Sequence, residues 1–251
     1  MSILEHFKKF NGMSQQQELL AHIAKIRGYS DNSLFNYAVS VQIRDNQIQQ
    51  DLLSDTTIYR SCFHSQTGES LVYGKLLIPG FAPSGELITY ICYSAINQVE
   101  AKARGIRKPA YFYPEQSTSG GRKSFVYAPP EAWEKIIQSK ELFIVDGVWD
   151  SVALNMHGVP TVALLGSSLS SDIKHILSVF DTLYLVMDND KAGSLLYQEL
   201  LRVFKRVFRV VIPPDLGKDA DDYIRVMGGE VLFGQLEKNN NTYLGGKKYV
   251  L

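Results

Sequence analysis

Three short apolar runs, each with aspartates at or shortly after its end, constrain the fold of this chain most strongly. The runs and the acids after them are Leu142–Val145 with Asp146, Leu183–Met187 with Asp188 and Asp190, and Val207–Pro213 with Asp219 and Asp221. Apolar runs of this length, bounded by turn residues, are typical of buried parallel strands. Open parallel sheets bind their ligands at the carboxyl ends of the strands. The sequence therefore predicts an α/β sheet with an acidic site at one edge.

The spacing of these aspartates indicates a site for a divalent cation. Asp188 and Asp190 lie two residues apart, so both side chains can point the same way on an extended backbone, and Asp219 and Asp221 repeat that spacing. Carboxylates that converge at one sheet edge repel each other unless a cation lies between them. Oxygen-only ligands suit Mg²⁺ or Mn²⁺. The alternative is that these residues only cap helices, because Asp is also common at N-caps and turns.

Strands and helices alternate regularly through the second half of the chain. The predicted strands are 142–145, 161–165, 183–187 and 208–212, and the predicted helices are 150–157, one around 173–180, 192–207 and a short last one that ends at Gly228-Gly229. This alternation predicts four parallel strands joined by right-handed crossovers. The last residues, 239–251, are rich in Asn and then Gly, which is typical of a loose tail.

The first half has a different organisation, which predicts a separate α+β subdomain. Apolar residues at helical spacing predict helices within 1–30, and short β-rich runs predict strands at 57–59, 71–73, 76–79 and 87–90, with a hairpin turn at 83–86. Pro129-Pro130 opens a short predicted helix at 131–139, which we interpret as the junction. The predicted domains are therefore 1–139, 140–229, and a C-terminal helix and tail at 230–251.

Composition bounds the class of protein. The chain has 251 residues, 45% of them hydrophobic, which is enough to bury a substantial core. It has no apolar run as long as a membrane span and no signal-peptide core, so we expect a cytoplasmic protein. Cys62 and Cys92 are too few and too far apart to build a disulfide framework or a zinc site.

Acidic and basic residues balance, 26 of each, which argues against bulk attraction to nucleic acid. The basic residues nevertheless gather between Lys102 and Lys123, where aromatic residues are interleaved with them. Basic and aromatic side chains together suit single-stranded nucleic acid with stacked bases. The alternative is a solvated loop with core aromatics behind it. The candidate nucleic-acid- or nucleotide-binding residues are Arg107, Lys108, Arg122, Lys123 and Lys191.

Four segments of the second half resemble the successive motifs of a Toprim domain, and among Toprim proteins most closely those of the bacterial DnaG-type primases. These segments are Val145–Asp150, Leu165–Ser168, Met187–Gly193 and Gly217–Tyr223, in the order and at the spacing of the family over roughly residues 141–227. In the first half, 26–30, 77–88, 108–111 and 122–127 resemble segments of the basal subdomain that precedes Toprim in those primases. The chain departs from the family at Asp146, where the family has Glu, and at Ala110, where it usually has Lys.

The resemblance implies a primase core that makes short RNA primers on single-stranded DNA from ribonucleoside triphosphates. It implies two or more Mg²⁺ or Mn²⁺ ions held by Asp146, Asp188, Asp190, Asp219 and Asp221, with the first three as the catalytic residues. Gly147, Asp150, Gly166 and Gly193 would support the site, and Asp150 would orient the Asp146 turn or cap the following helix.

The zinc module and helicase-binding domain of such primases are not recognised in these residues, so we expect a catalytic core, from a bacterium, phage or mobile element, or a truncated core. A replicative helicase or a separate zinc-module or initiator protein is the expected partner. Two other functions stay open at this stage. One is a Toprim nuclease that cleaves phosphodiesters with the same carboxylates, and the other is a non-catalytic, nucleic-acid- or partner-binding remnant of a primase.

Overall fold

A computed structural model gives the fold, and it describes residues 21, 24–25, 40–41, 76–85, 87–93, 111–112, 125–165, 169–186, 191–210, 212, 215–217 and 219–227. The chain divides into two compact units, residues 1–122 and 123–251. Within the described ranges, no helix is long and apolar enough to cross a membrane.

An antiparallel sheet forms most of the described part of the first unit, which also includes helical residues at 21 and 24–25. Its strands, in spatial order, are β1 (Ser40–Val41), β2 (Leu76–Phe81), β3 (Leu87–Tyr93) and β4 (Tyr111–Phe112). The hairpin between β2 and β3 closes with a 2.9 Å hydrogen bond from the Gly85 nitrogen to the Ala82 carbonyl. The predicted strands at 76–79 and 87–90 and their antiparallel pairing are confirmed. The predicted strands at 57–59 and 71–73 lie outside the described residues. The sequence did not predict β1 and β4, because two residues are too short to show a period.

The second unit alternates helices and strands as the sequence predicts. After a 3₁₀ turn at Pro130–Ala132, its elements are α1 (Trp133–Gln138), β5 (Glu141–Val145), α2 (Val148–Met156), β6 (Thr161–Ala163), α3 (Ser171–Leu177), β7 (Thr182–Val186), α4 (Lys191–Val203), β8 (Val207–Val210) and α5 (Ala220–Met227). The four strands are parallel and lie in the order β6-β5-β7-β8. The predicted fold, an α+β subdomain followed by an α/β domain with a four-stranded parallel sheet, is confirmed.

Each face of this parallel sheet is apolar. Alternate residues on one face, among them Ile144 and Leu185, join one buried cluster that includes Ile173 of α3 and Leu200 of α4. On the other face, the Phe143 and Tyr184 rings stack at 4.7 Å between centroids, and Tyr184 and Phe208 stack at 5.6 Å. Burial on both faces explains why the sequence of these strands is a continuous apolar run instead of an alternating one.

The segment before β5 belongs to the second unit. Tyr127 forms an antiparallel bridge with Ala163 of β6, with N–O distances of 2.8 and 2.7 Å. Val126 and Trp133 lie in the same buried cluster as the sheet residues. The compact units therefore divide at residue 122/123, and the junction that we inferred at 139/140 does not coincide with this division. The bounds of the functional domains stay a prediction, and residues 230–251 lie outside the described part.

Several element ends differ from the predicted ones. The predicted helix at 192–207 ends at Val203, and Val207 instead begins β8, where it pairs with Leu183. The predicted strand at 161–165 ends at Ala163, because Leu165 adopts a left-handed conformation with φ 58°. The predicted strand at 208–212 is β8, Val207–Val210. Helix α2 ends where the sequence indicates, since Gly158 at φ 78° bonds to the Asn155 carbonyl, which is typical of a glycine C-cap.

Candidate metal and nucleotide site

The carboxyl ends of β5 and β7 lie side by side in the parallel sheet. These two strands pair in register through Ile144 and Leu185. Asp146 follows the last residue of β5 directly, and its side chain is exposed at this edge. Asp188 and Asp190 follow β7 in the sequence and lie outside the described residues. The topology therefore brings the end of β5, which leads to Asp146, next to the end of β7, the strand that precedes the second predicted acidic motif in the sequence.

The backbone of Asp146 is held by the turn that leaves β6. The Leu165 nitrogen donates a 2.9 Å hydrogen bond to the Asp146 carbonyl, and the Leu164 nitrogen donates one of the same length to the Val145 carbonyl. Leu165 makes its bond from the left-handed conformation described above, which costs a non-glycine residue roughly 1–2 kcal/mol. The exits of β5 and β6 are thus fixed to each other at the edge that presents the Asp146 carboxylate.

The third predicted acidic motif forms the N-terminus of α5. Asp219 is the N-cap: its Oδ1 accepts a 2.8 Å hydrogen bond from the Asp222 nitrogen, and its carbonyl accepts one of 3.0 Å from the Tyr223 nitrogen. Asp221 lies in the first helical turn and is 1% exposed. Capping, which was the alternative reading of these acids, is therefore a role that Asp219 does have. A metal-binding role for Asp219 and Asp221 stays a prediction.

Asp150 links the first and third motifs. It lies in the first turn of α2, and its Oδ1 accepts a 2.9 Å hydrogen bond from the backbone nitrogen of Asp221. The sequence predicted that Asp150 would orient the Asp146 turn or cap the helix that follows it. One hydrogen bond of this carboxylate goes to the N-terminus of α5, 71 residues further along the chain. The predicted role toward the Asp146 turn and the start of α2 stays a prediction.

Two glycines allow these elements to approach closely. A Cβ atom on Gly147 would lie 2.7 Å from Oδ2 of Asp150, so a side chain there would displace the carboxylate. A Cβ atom on Gly217 would lie 2.8 Å from the Tyr223 nitrogen, against the backbone of α5. Gly147 is one of the residues predicted to support the site, whereas Gly217 is not, although a glycine just before an acidic helix start is a signal of close backbone approach.

The structure places the remaining predicted residues only in part. Gly193 is buried within α4, and Lys191 is the first residue of that helix, although its side chain lies outside the described residues. Five further predicted residues lie outside the described ranges: Arg107, Lys108, Arg122, Lys123 and Gly166.

Within the described ranges, no three His, Cys, Asp or Glu side chains come close enough to hold a metal ion. Asp188 and Asp190 lie outside these ranges. The predicted set of five carboxylate ligands therefore stays a prediction. Beside the acidic helix start, burial raises the pKa of the Tyr223 hydroxyl above its usual 10.0. This hydroxyl is therefore neutral at physiological pH and adds no charge to the site.

Comparison with known proteins agrees with this geometry. Residues 143–224 match the Toprim-like family, so the sheet and its acidic edge form a Toprim-like domain. The DNA primase of Thermotoga maritima is 26% identical over 175 residues, which cover 68% of this chain and 29% of that protein. This chain thus spans less than a third of the length of that relative.

Solved structures extend the similarity in fold beyond the Toprim-like domain. The DnaG primase catalytic domain bound to single-stranded DNA superposes with a TM-score of 0.73 at 16% identity, covering 98% of this chain and 82% of that one. The zinc-binding and RNA polymerase domains of the Aquifex aeolicus primase give 0.72 at 20% identity, covering 94% and 60%. The chain is therefore similar to the DnaG-type primases and has the fold of their catalytic core, which confirms the resemblance inferred from its motifs.

Proposed function

We propose that this chain is a DNA primase core that synthesises short RNA primers on single-stranded DNA by metal-dependent nucleotidyl transfer. The observation that carries the proposal is the exposed Asp146 carboxylate at the carboxyl end of β5, beside the strand that leads to Asp188 and Asp190. The relationship to DNA primases supports nucleotidyl transfer as the chemistry of that edge.

The residues present fit a divalent cation. The donors at this edge are carboxylate oxygens, which suit Mg²⁺ or Mn²⁺, and the exposed side chain of Asp146 is accessible to an ion and its water ligands. Asp146, Asp188 and Asp190 would hold the ions, with Asp219 and Asp221 contributing from the start of α5. Two such ions, when bound, would lower the pKa of the primer 3′-hydroxyl and stabilise the leaving pyrophosphate.

The chain's cations would bind the anionic substrates. Lys191 follows the second acidic motif directly, so it is the proposed contact for the phosphates of the ribonucleoside triphosphate. Arg107, Lys108, Arg122 and Lys123 are the proposed contacts for the single-stranded DNA template, and a replicative helicase or a separate zinc-module or initiator protein is the proposed partner. Lys108→Ala with Lys123→Ala should weaken DNA affinity and flatten its dependence on salt. Lys135→Ala with Lys205→Ala, a matched pair of exposed lysines, should leave both unchanged.

The catalytic proposal is tested by a templated assay with labelled ribonucleotides, varied single-stranded DNA, and Mg²⁺ or Mn²⁺. Asp188→Asn and Asp190→Asn should each abolish synthesis and leave the fold intact, because each removes a ligand and also relieves repulsion in the empty site. Asp181→Asn is the matched control: Asp181 is exposed in the turn before β7, at the opposite edge of the sheet, and its loss should not change synthesis.

The same assay separates the alternatives. Metal-dependent nicking of DNA without nucleotide incorporation would identify a Toprim nuclease. Binding of single-stranded DNA with neither reaction would identify a non-catalytic remnant. Full synthesis in both the Asp188→Asn and Asp190→Asn variants would refute the assigned chemistry.

A further inference from the structure

The hydrogen bond between Asp150 and Asp221 joins two elements that carry different parts of the acidic edge. Asp150 lies one turn after Asp146, at the start of α2, and Asp221 lies in the first turn of α5, next to Asp219. The Oδ1 of Asp150 and the nitrogen of Asp221 are 2.9 Å apart. A shift of α5 away from α2 would lengthen this bond, and it would also change the separation between Asp146 and the acids of α5.

The first turn of α5 has backbone amides that need acceptors, because the first amides of a helix have no partner within it. Asp150 accepts from the Asp221 amide, and the N-cap Asp219 accepts from the Asp222 amide over 2.8 Å. A negative carboxylate at this position also interacts favourably with the positive end of the α5 dipole. Oδ1 of Asp150 is therefore directed toward the amides of α5.

The close packing around Asp150 leaves little freedom for its carboxylate. Gly147 lies so near that a Cβ there would be 2.7 Å from Oδ2 of Asp150. On the side of α5, Gly217 permits the chain to lie directly against the Tyr223 backbone. Residues of both elements next to the bond are buried, including Trp149 of α2 at 2% exposure and Tyr223 of α5 at 1%. The bond thus lies in a tightly packed contact between the two helix N-termini.

We propose that Asp150 is a positioning residue that acts through α5 and not as a metal ligand. Its carboxylate fixes the N-terminus of α5 to the start of α2, and so keeps Asp219 and Asp221 at a set distance from Asp146. This inference rests on the proposed function in one respect, namely that those three acids bind the ions.

The substitution pair Asp150→Asn and Asp150→Ala tests the proposal. Asn keeps an oxygen of similar position that can accept from the Asp221 amide, whereas Ala removes the acceptor. Hydrogen exchange of the Asp221 amide is measured by NMR in the metal-free full chain. Ala should reduce protection by about ten- to a hundredfold, the range for a hydrogen bond to a charged acceptor, and Asn should reduce it less. The Ile173 amide, capped by Ser170 over 3.2 Å, is the internal control and should not change.

Mn²⁺ affinity of the same three proteins, measured by calorimetry, distinguishes positioning from coordination. Asn should bind Mn²⁺ within about threefold of wild type, and Ala should bind at least about tenfold more weakly, which is about 1.4 kcal/mol. If Asn keeps the Asp221 amide protected but loses Mn²⁺ binding as Ala does, Asp150 is a ligand and the proposal is wrong. If Ala leaves the amide protected, the bond does not hold α5 and the proposal is also wrong. A wild type that makes no primers, or binds no Mn²⁺, refutes the proposed function, while the exchange measurement still decides the role of Asp150.

Discussion

Replacing Gly217 by alanine should destabilise the Toprim-like domain more than its size change suggests. The new Cβ would lie 2.8 Å from the Tyr223 nitrogen, 3.0 Å from its Cα and 3.2 Å from the carbonyl carbon of Asp222. These are backbone atoms in the first turn of α5, so a side-chain rotation cannot relieve the clash. The helix start itself must move.

The expected magnitude has two parts. Gly217 has φ 157°, a conformation that costs an L-residue roughly 1–3 kcal/mol, and overpacking against fixed atoms costs about the same again. We therefore expect a loss of about 2–6 kcal/mol. At roughly 2–4 °C per kcal/mol for a chain of this size, the melting temperature should fall by at least about 4 °C.

Gly158→Ala is the matched control for this measurement. Gly158 also has positive φ, 78°, but a Cβ there would meet only Nζ of Lys135, at 2.7 Å, and that flexible side chain can move away. The control should therefore lose only the conformational part, about 1–2 kcal/mol. Thermal melts of both variants, followed by circular dichroism, give the comparison. If Gly217→Ala is no less stable than Gly158→Ala, the close contact between Gly217 and α5 contributes nothing, and the reasoning from it fails.

Three further predictions concern the acidic edge. Asp219→Ala and Ser170→Ala each remove an N-cap, and each should lower the free energy of unfolding in urea by about 1 kcal/mol. Only Asp219→Ala should also weaken Mn²⁺ binding. Equal Mn²⁺ affinities in the two variants would show that Asp219 is not a ligand. Burial raises the pKa of Tyr223, so above pH 10 the unfolded chain loses this proton before the folded chain does, and stability falls as the pH rises. Tyr223→Phe should lessen that fall, measured against wild type by urea unfolding, and an identical fall in both proteins would contradict the burial argument. Asp146→Glu should keep primer synthesis and shift the metal preference from Mn²⁺ toward Mg²⁺, because the carboxylate then reaches about 1.5 Å further. Asp146→Ala should be inactive. Primer synthesis is measured across titrations of both metals, and full activity in Asp146→Ala would exclude a catalytic role for Asp146.

The parallel sheet was predictable from sequence because its strands are buried on both faces. Leu142–Val145 and Leu183–Val186 are apolar at every position, and only a central parallel strand covered on both sides requires this. Ligands generally bind at the carboxyl edge of such a sheet. The location of Asp146 at that edge could therefore be predicted from the strand pattern alone, without knowledge of its contacts. Register and strand order then determined that β5 and β7 are neighbours.

The ends of helices and strands were less predictable, because the apolar spacing within one segment does not show which other strand that segment pairs with. Val203 and Phe204 continue the apolar face of α4, and the predicted helix ends at Val207, which is also the first residue of the third apolar run. In the fold, Val207 is 6% exposed and pairs with Leu183 of β7, so a strand contact overrides the helical pattern. A distant pairing partner also explains why the boundary between the two units differs from the predicted one at 139/140. Tyr127 pairs with Ala163, so residues before Pro129 belong to the second unit.

Which acids bind an ion, and which hold the backbone, could not be read from spacing. Local spacing makes Asp150 a first-turn acid of α2, and it is one, yet its hydrogen bond reaches an amide 71 residues away. Asp219 shows that the two roles need not exclude each other, because capping through Oδ1 uses only one of two carboxylate oxygens. Under the proposed function, the acids of this edge bond two kinds of partner, helix amides and cations. The hydrogen bonds of Asp150 and Asp219 to the amides of α5 would then shape the site at which the ions bind.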